Sequence, residues 1–296
     1  MEAKELKRFL QRIATIDRRF VYLLVGLAVA LPFFFPLRQR IRVSPPVRQV
    51  YDVVESLRPD GKPLLLSMDF DPSTAPELQP MAEAILRHGF ARDVEVIVMT
   101  LSPTGVSLAE AIIHKVAGEF QRTYGGDYVF LGYKPGSGNV ILQIGEEIRK
   151  LYPTDAAGTP VDDLPLMRSV HNYNDIGLVI ALSGTGIVET WITYAVGRYG
   201  ATYAMGVTAV MASGYYPYIN TGQSKGLLGG MKGAAEYEQL LLDNHLASRL
   251  GDGSKGMNSQ SMAHLLIITL ILLGNIHYFV FHRRERRERG EHHTQR

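Results

Sequence analysis

Two apolar stretches frame the chain, one near each end, and each carries basic residues on its terminal side. The first covers residues 20–37 (FVYLLVGLAVALPFFFPL) and the second 262–281 (MAHLLIITLILLGNIHYFVF). Each is about the length at which a helix crosses a ~30 Å hydrocarbon core. Segments of this kind leave only the interval between them to build a water-soluble fold, and they hold that fold at a membrane. The expected organisation is a basic N-terminal tail (1–19), a transmembrane helix (20–37), a folded domain (38–250), a linker (251–261), a second transmembrane helix (262–281) and an Arg-rich tail (282–296).

The first stretch reads as an uncleaved anchor. Its leader is long and polar, and Pro36-Leu37-Arg38 follows it in place of a small-residue cleavage site. Lys4, Lys7, Arg8, Arg12, Arg18 and Arg19 precede it, and Arg283, Arg284, Arg286, Arg287 and Arg289 follow the second stretch. Arg38, Arg40, Arg42 and Arg48 pull the other way, but long domains translocate largely regardless of charge. A two-pass cell-membrane protein is therefore expected, with both termini cytoplasmic and the domain extracytoplasmic.

A net charge of +2, with both signs interspersed, gives no footprint for nucleic acid. The chain has no cysteine, which excludes disulfides, thiolate metal sites and cysteine nucleophiles.

Between the anchors, apolar runs alternate with helical stripes. Strands are expected at 63–68, 94–101, 127–132, 176–182 and 202–210, and helices at 47–57, 75–88, 108–122, 140–151 and 187–199. Strands apolar on both faces and separated by helices predict a three-layer α/β domain with a mainly parallel sheet of five or six strands. In such a sheet, ligands bind beyond the carboxyl ends of the strands. The loops there hold Asp69 and Asp71, then Thr100, then Lys134, then Ser183-Gly184-Thr185-Gly186.

An apolar strand ending in Asp-x-Asp, a next strand ending in Thr, and a Lys before a later helix resemble the haloacid dehalogenase phosphatases. The resemblance covers under a third of the chain. It implies Asp69 as phosphoryl-accepting nucleophile, Asp71 as general acid, and Thr100 and Lys134 as phosphoryl-binding groups. That family also holds Mg²⁺ through an acidic pair after a later strand. Here that strand ends in Ser183-Gly184-Thr185-Gly186 and supplies no carboxylate, so no metal is expected.

Ser183-Gly184-Thr185-Gly186 sits where a strand feeds a helix. Bare backbone there suits either an anion or close strand–helix packing. No G-x-S-x-G elbow occurs, and His88, His114, His171 and His245 have no metal-ligand spacing. No cofactor is implied.

From Met211 the composition changes. Residues 214–218 (GYYPY) read as a rigid aromatic loop, residues 226–237 are rich in small side chains, and 238–250 read as an amphipathic helix. Glycine is poor in helices, by ~1 kcal/mol per residue, so this segment needs compensation from packing. The contact is expected either within the domain or with another subunit, where Tyr215, Tyr216, Tyr218, Gly229, Gly230 and Gly233 would form the interface.

The sequence thus favours a non-catalytic scaffold or subunit of an envelope membrane complex, working through self-association or partner binding. A hydrolase or phosphate-ligand enzyme using the strand-end loops is the alternative. The expected partners are the membrane and either further copies of the chain or other membrane-complex subunits.

Overall fold

The computed structural model describes residues 17–35, 41–59 and 61–293. Much of the basic N-terminal tail, the end of the first apolar stretch at 36–37, and Arg38 and Arg40 lie outside the described residues. The chain divides into two compact units, Gln39–Ser254 on one hand and Met1–Arg38 with Lys255–Arg296 on the other.

The first apolar stretch forms helix α1 (Arg18–Phe34), capped by the Asp17 side chain, which accepts from the Arg19 amide. Its 17 residues rise about 26 Å, short of a ~30 Å core. Pro32 lies in its last turn. Two spanning helices were expected. Among the described residues one is long and apolar enough, at Asp252–Ile276.

The domain unit is α/β. Its helices and strands alternate as α2 (Pro45–Ser56), β1 (Leu64–Asp69), α3 (Ala75–Ala91), β2 (Val96–Thr100), α4 (Val106–Glu119), β3 (Tyr128–Tyr133) and α5 (Ser137–Leu151). There follow β4 (Leu178–Ser183), α6 (187–199), β5 (Tyr203–Val207), α7 (Ala209–Asn220), β6 (Leu227–Gly229) and α8 (Gly230–Asp243). Helix α6 is α-helical over Ile187–Trp191, passes through a π-helical turn at Ile192–Val196 and closes with Gly197–Tyr199.

All six strands are parallel, in the order β3-β2-β1-β4-β5-β6. The order reverses between β1 and β4, as in doubly wound sheets, and that reversal opens the position where such folds take ligands. Every residue of β1, β2 and β4 is buried, as expected of strands covered on both faces. One apolar cluster joins Leu64, Leu66 and Met68 to α2, α3, α4 and α8. The other joins Leu65 to α5 and α6 on the opposite face, and it includes Tyr152, Trp191 and Tyr203.

Three local expectations are corrected. Residues 214–218 are not a loop but the second half of α7. Pro217 deprives the Ser213 carbonyl of its helical donor, yet Ser213 is exposed and water can serve it. The amphipathic helix expected at 238–250 instead runs over Gly230–Asp243, and within the small-residue segment 227–229 is the sixth strand. The expected linker 251–261 is helical from Asp252, where helix α9 (Asp252–His293) begins.

Candidate functional site

The strand ends at the β1/β4 reversal bring Asp69, Thr100 and Ser183 together. Ser183 Oγ donates to the Asp69 carbonyl at 3.0 Å, and Thr100 Oγ1 donates to the Met68 carbonyl at 2.7 Å. The Asp69 carboxylate turns into the α5/α6 side of the sheet. Its Oδ1 accepts from Ser67 Oγ and the Leu101 amide, each at 2.7 Å, and its Oδ2 accepts from Trp191 Nε1 at 3.2 Å.

All three donors are neutral. Burial pushes the Asp69 carboxyl up to about 6, against the lowering effect of those hydrogen bonds. Its charge in turn adds to the burial that raises the Tyr152 and Tyr203 phenols. The Tyr152 hydroxyl is buried and has no hydrogen-bond partner among the described residues. Trp191, the single tryptophan, stands at the α-to-π junction of α6, and its indole enters the core from there.

The site is closed to solvent. Asp69 is 2 % exposed, and Thr100 and Ser183 are fully buried. The β1–α3 loop packs directly on its neighbours: a Cβ at Gly184 would stand 2.5 Å from Thr74 Cγ2, and one at Gly105 would strike the Phe70 carbonyl. Gly184 therefore serves close packing. Thr185 gives its amide to Ser183 Oγ at 3.1 Å, and a Cβ at Gly186 would meet nothing within 4 Å.

Asp71 is near in sequence but does different work. Its Oδ1 accepts from the Ser73 amide at 2.9 Å, Ser73 Oγ at 2.6 Å, the Thr74 amide at 3.1 Å and Thr74 Oγ1 at 3.2 Å. These bonds hold the turn that starts α3, and they keep the carboxyl below its ordinary range. Lys134, beyond edge strand β3, places its Nζ 5.4 Å from the centre of the Tyr152 ring. Its partner is an aromatic face, a cation–π contact.

The glycines expected at an interface lie inside the domain. Gly230 adopts φ +59°, and a Cβ there would come 2.6 Å from Ala209 Cβ. One at Gly233 would come 2.9 Å from the Leu228 backbone, and one at Gly229 equally close to Ala212 Cβ. Their compensation comes from β6 and α7. Tyr215 is buried, and its hydroxyl donates to Glu189 Oε1 at 3.1 Å. Tyr218 packs beside it with its ring tilted by 31°, ring centres 5.9 Å apart. Tyr216 is 47 % exposed, and Val210, which the sequence reading passed over, is 90 % exposed. The signal for this surface was present in the sequence, since no Asp, Glu, Lys, Arg or His occurs from 199 to 224.

Two further residues were missed. Glu236, buried in α8, accepts from the amide and hydroxyl of Ser44, the N-cap of α2, and from Lys232. Glu238, two residues on, accepts from the Gly253 amide at 2.9 Å, the Ser254 amide at 2.8 Å and Ser254 Oγ at 2.6 Å. One helix thereby holds the N-termini of the helices at both ends of the domain, each by a carboxylate at the positive end of a helix dipole. Burial raises the Glu238 carboxyl, while these bonds act the other way.

His88 makes a third link. Its Nδ1 lies 2.7 Å from Tyr237 Oη and its Nε2 2.8 Å from Glu55 Oε2, joining α2, α3 and α8. Burial lowers its pKa, against the effect of Glu55. A neutral ring donating to Glu55 and accepting from Tyr237 satisfies both contacts.

Among the described residues, no group of three or more His, Asp or Glu is arranged to hold a metal ion. Comparison with protein-family models, with curated proteins and with solved structures finds no match for this chain.

Proposed function

We propose that this chain is a membrane-anchored, non-catalytic α/β domain that acts as a scaffold or subunit of an envelope membrane complex. It works through self-association or partner binding. One contrast carries the reading: the polar side chains at the β1/β4 reversal are buried and engaged by protein groups, whereas α7 has one exposed face and no charged side chain in its own sequence. A reacting group needs access to substrate, and a docking face needs exposed surface whose burial stabilises a complex. In this reading the domain is extracytoplasmic, both termini are cytoplasmic, and the apolar segments are the anchors.

The test joins topology to assembly. With the outer barrier made permeable, protease added outside intact cells is expected to reach the domain and spare both tails. The detergent-solubilised protein is expected to run above its monomer mass. A protected domain would reverse the orientation, and a monomer with no co-purifying chain would remove the scaffold role.

A second reading, a hydrolase or phosphate-ligand enzyme at the strand ends, is favoured by one observation. Asp69 stands at the reversal with its pKa pushed up to about 6, near the range in which a carboxyl exchanges protons at neutral pH.

A further inference from the structure

We infer that the crevice between α2 and the turn after α7 binds a small zwitterion, an α-amino acid with an apolar side chain. The crevice holds about 310 Å³, at the lower end of the range of small-molecule sites. Helix α2 supplies Gln49, Asp52 and Val53 to one wall, and Ile219 and Lys225 stand on the other. Val53 and Ile219 are half-buried and give the apolar surface.

Charge identifies the ligand. Asp52 and Lys225 are exposed, and neither side chain forms an ion pair or a hydrogen bond among the described residues. Arg48, one turn before Asp52 on α2, is not paired with it either. A simple anion in the crevice would meet the Asp52 carboxylate, and a simple cation would meet the Lys225 ammonium. A neutral ligand would strip water from both charges without replacing it. A molecule that carries an ammonium and a carboxylate a few atoms apart answers both. One carboxylate is also too small a ligand set for a metal ion.

The walls are set before a ligand arrives, which lowers the cost of ordering them. In the turn, the Ser224 amide donates to the Tyr218 carbonyl at 2.9 Å and the Lys225 amide to the Tyr203 carbonyl at 2.7 Å. Ser224 Oγ donates to the Gly226 carbonyl at 2.8 Å. Gly222 adopts φ +75°, and a Cβ there would meet nothing within 4 Å, so bare backbone leaves the mouth open. Across the crevice, the contacts of Ser44 with Glu236 and of Glu55 with His88 hold both ends of α2. These donors of the turn are already engaged, so the side chains of Gln49, Asp52 and Lys225 select the ligand. An ethanolamine phospholipid headgroup also joins an ammonium to an acid group. It has no apolar branch to lay against Val53 and Ile219, and the experiment separates the two sources.

The full-length chain in detergent is titrated calorimetrically with L-leucine. The comparison ligands are N-acetyl-L-leucine, L-leucinamide and glycine, which lack in turn the ammonium, the carboxylate and the apolar branch. L-leucine is expected to bind saturably, one per chain, and at least tenfold more tightly than each of the three. Asp52→Asn should weaken L-leucine at least tenfold and leave it no better than N-acetyl-L-leucine. Lys225→Met should do the same relative to L-leucinamide. Both side chains are exposed, so both variants should keep the melting temperature of the native chain.

No saturable heat with L-leucine, or equal affinity for any one of the three comparison ligands, would overturn the proposal. L-leucine binding that survives both substitutions puts the ligand elsewhere and overturns it too. Loss of L-leucine binding in phosphatidylethanolamine nanodiscs, with retention in phosphatidylglycerol nanodiscs, assigns the crevice to the headgroup and overturns the free amino acid.

Discussion

Asp69 holds a titratable carboxyl where every hydrogen-bond donor is neutral: the Ser67 hydroxyl, the Leu101 amide and the Trp191 indole. Burial therefore lifts its pKa from 3.8 to about 6, and the sign of the linkage follows. The folded state holds this proton more tightly than the unfolded chain, so the contribution to stability is fully present below about pH 4. It is lost as pH rises through about 6. A shift of about two units corresponds to about 3 kcal/mol across that window. Thermal melts from pH 4 to 8 should show the decline, and Asp69→Asn should flatten it. Because Trp191 is the single tryptophan and touches this carboxyl, its emission should titrate over the same range. An unchanged slope in Asp69→Asn would assign the titration elsewhere. The sequence marked Asp69 as a strand-end residue, but not as a sealed one. Its indole partner lies 122 positions away, and no local pattern reports a contact of that separation.

At the scale of elements, the paired carboxylates of α8 anchor two helix starts, that of α2 at Ser44 and that of α9 at Gly253 and Ser254. Residues 251–261 read as a linker because Gly, Asp, Ser and Asn are turn formers. The same residues let backbone amides approach a buried acceptor: a Cβ at Gly251 would strike Glu238, and one at Gly253 would stand 2.9 Å from Ala234 Cβ. Glu238→Ala should cost about 1–3 kcal/mol, because it leaves two buried amides and a hydroxyl without their acceptor. Hydrogen exchange should quicken at Gly253 and Ser254 while the amides of β1 stay protected. If exchange at those two positions does not change, the clamp is not what holds the start of α9. The misreading of α7 has a related cause. Gly214 and Pro217 are breakers in a short window, yet the buried Tyr215 anchors the helix by a bond to another element.

For the whole molecule, the alternation of apolar runs with helical stripes was enough to anticipate the parallel sheet, because strands covered on both faces leave a continuous apolar signature. The strand order was not legible, since no local residue pattern encodes which parallel neighbour a strand takes. Strand β6 was not legible either, for three residues ending in glycine carry no period. Both apolar clusters draw only on residues between 43 and 247, so the domain unit contains its whole core. The fragment 39–254 should therefore fold without the apolar segments and melt in one cooperative transition. The shorter fragment 39–250, cut where the sequence alone placed the boundary, keeps both clusters but removes Gly253 and Ser254 from Glu238. The buried carboxylate then loses its donors, so this fragment should melt at a lower temperature and gain more from acidification, which neutralises the stranded charge. Glu238→Gln in 39–250 should abolish that extra pH response. Equal melting curves for the two fragments at neutral pH would show that the α8 clamp adds nothing to the domain and that its boundary belongs at 250.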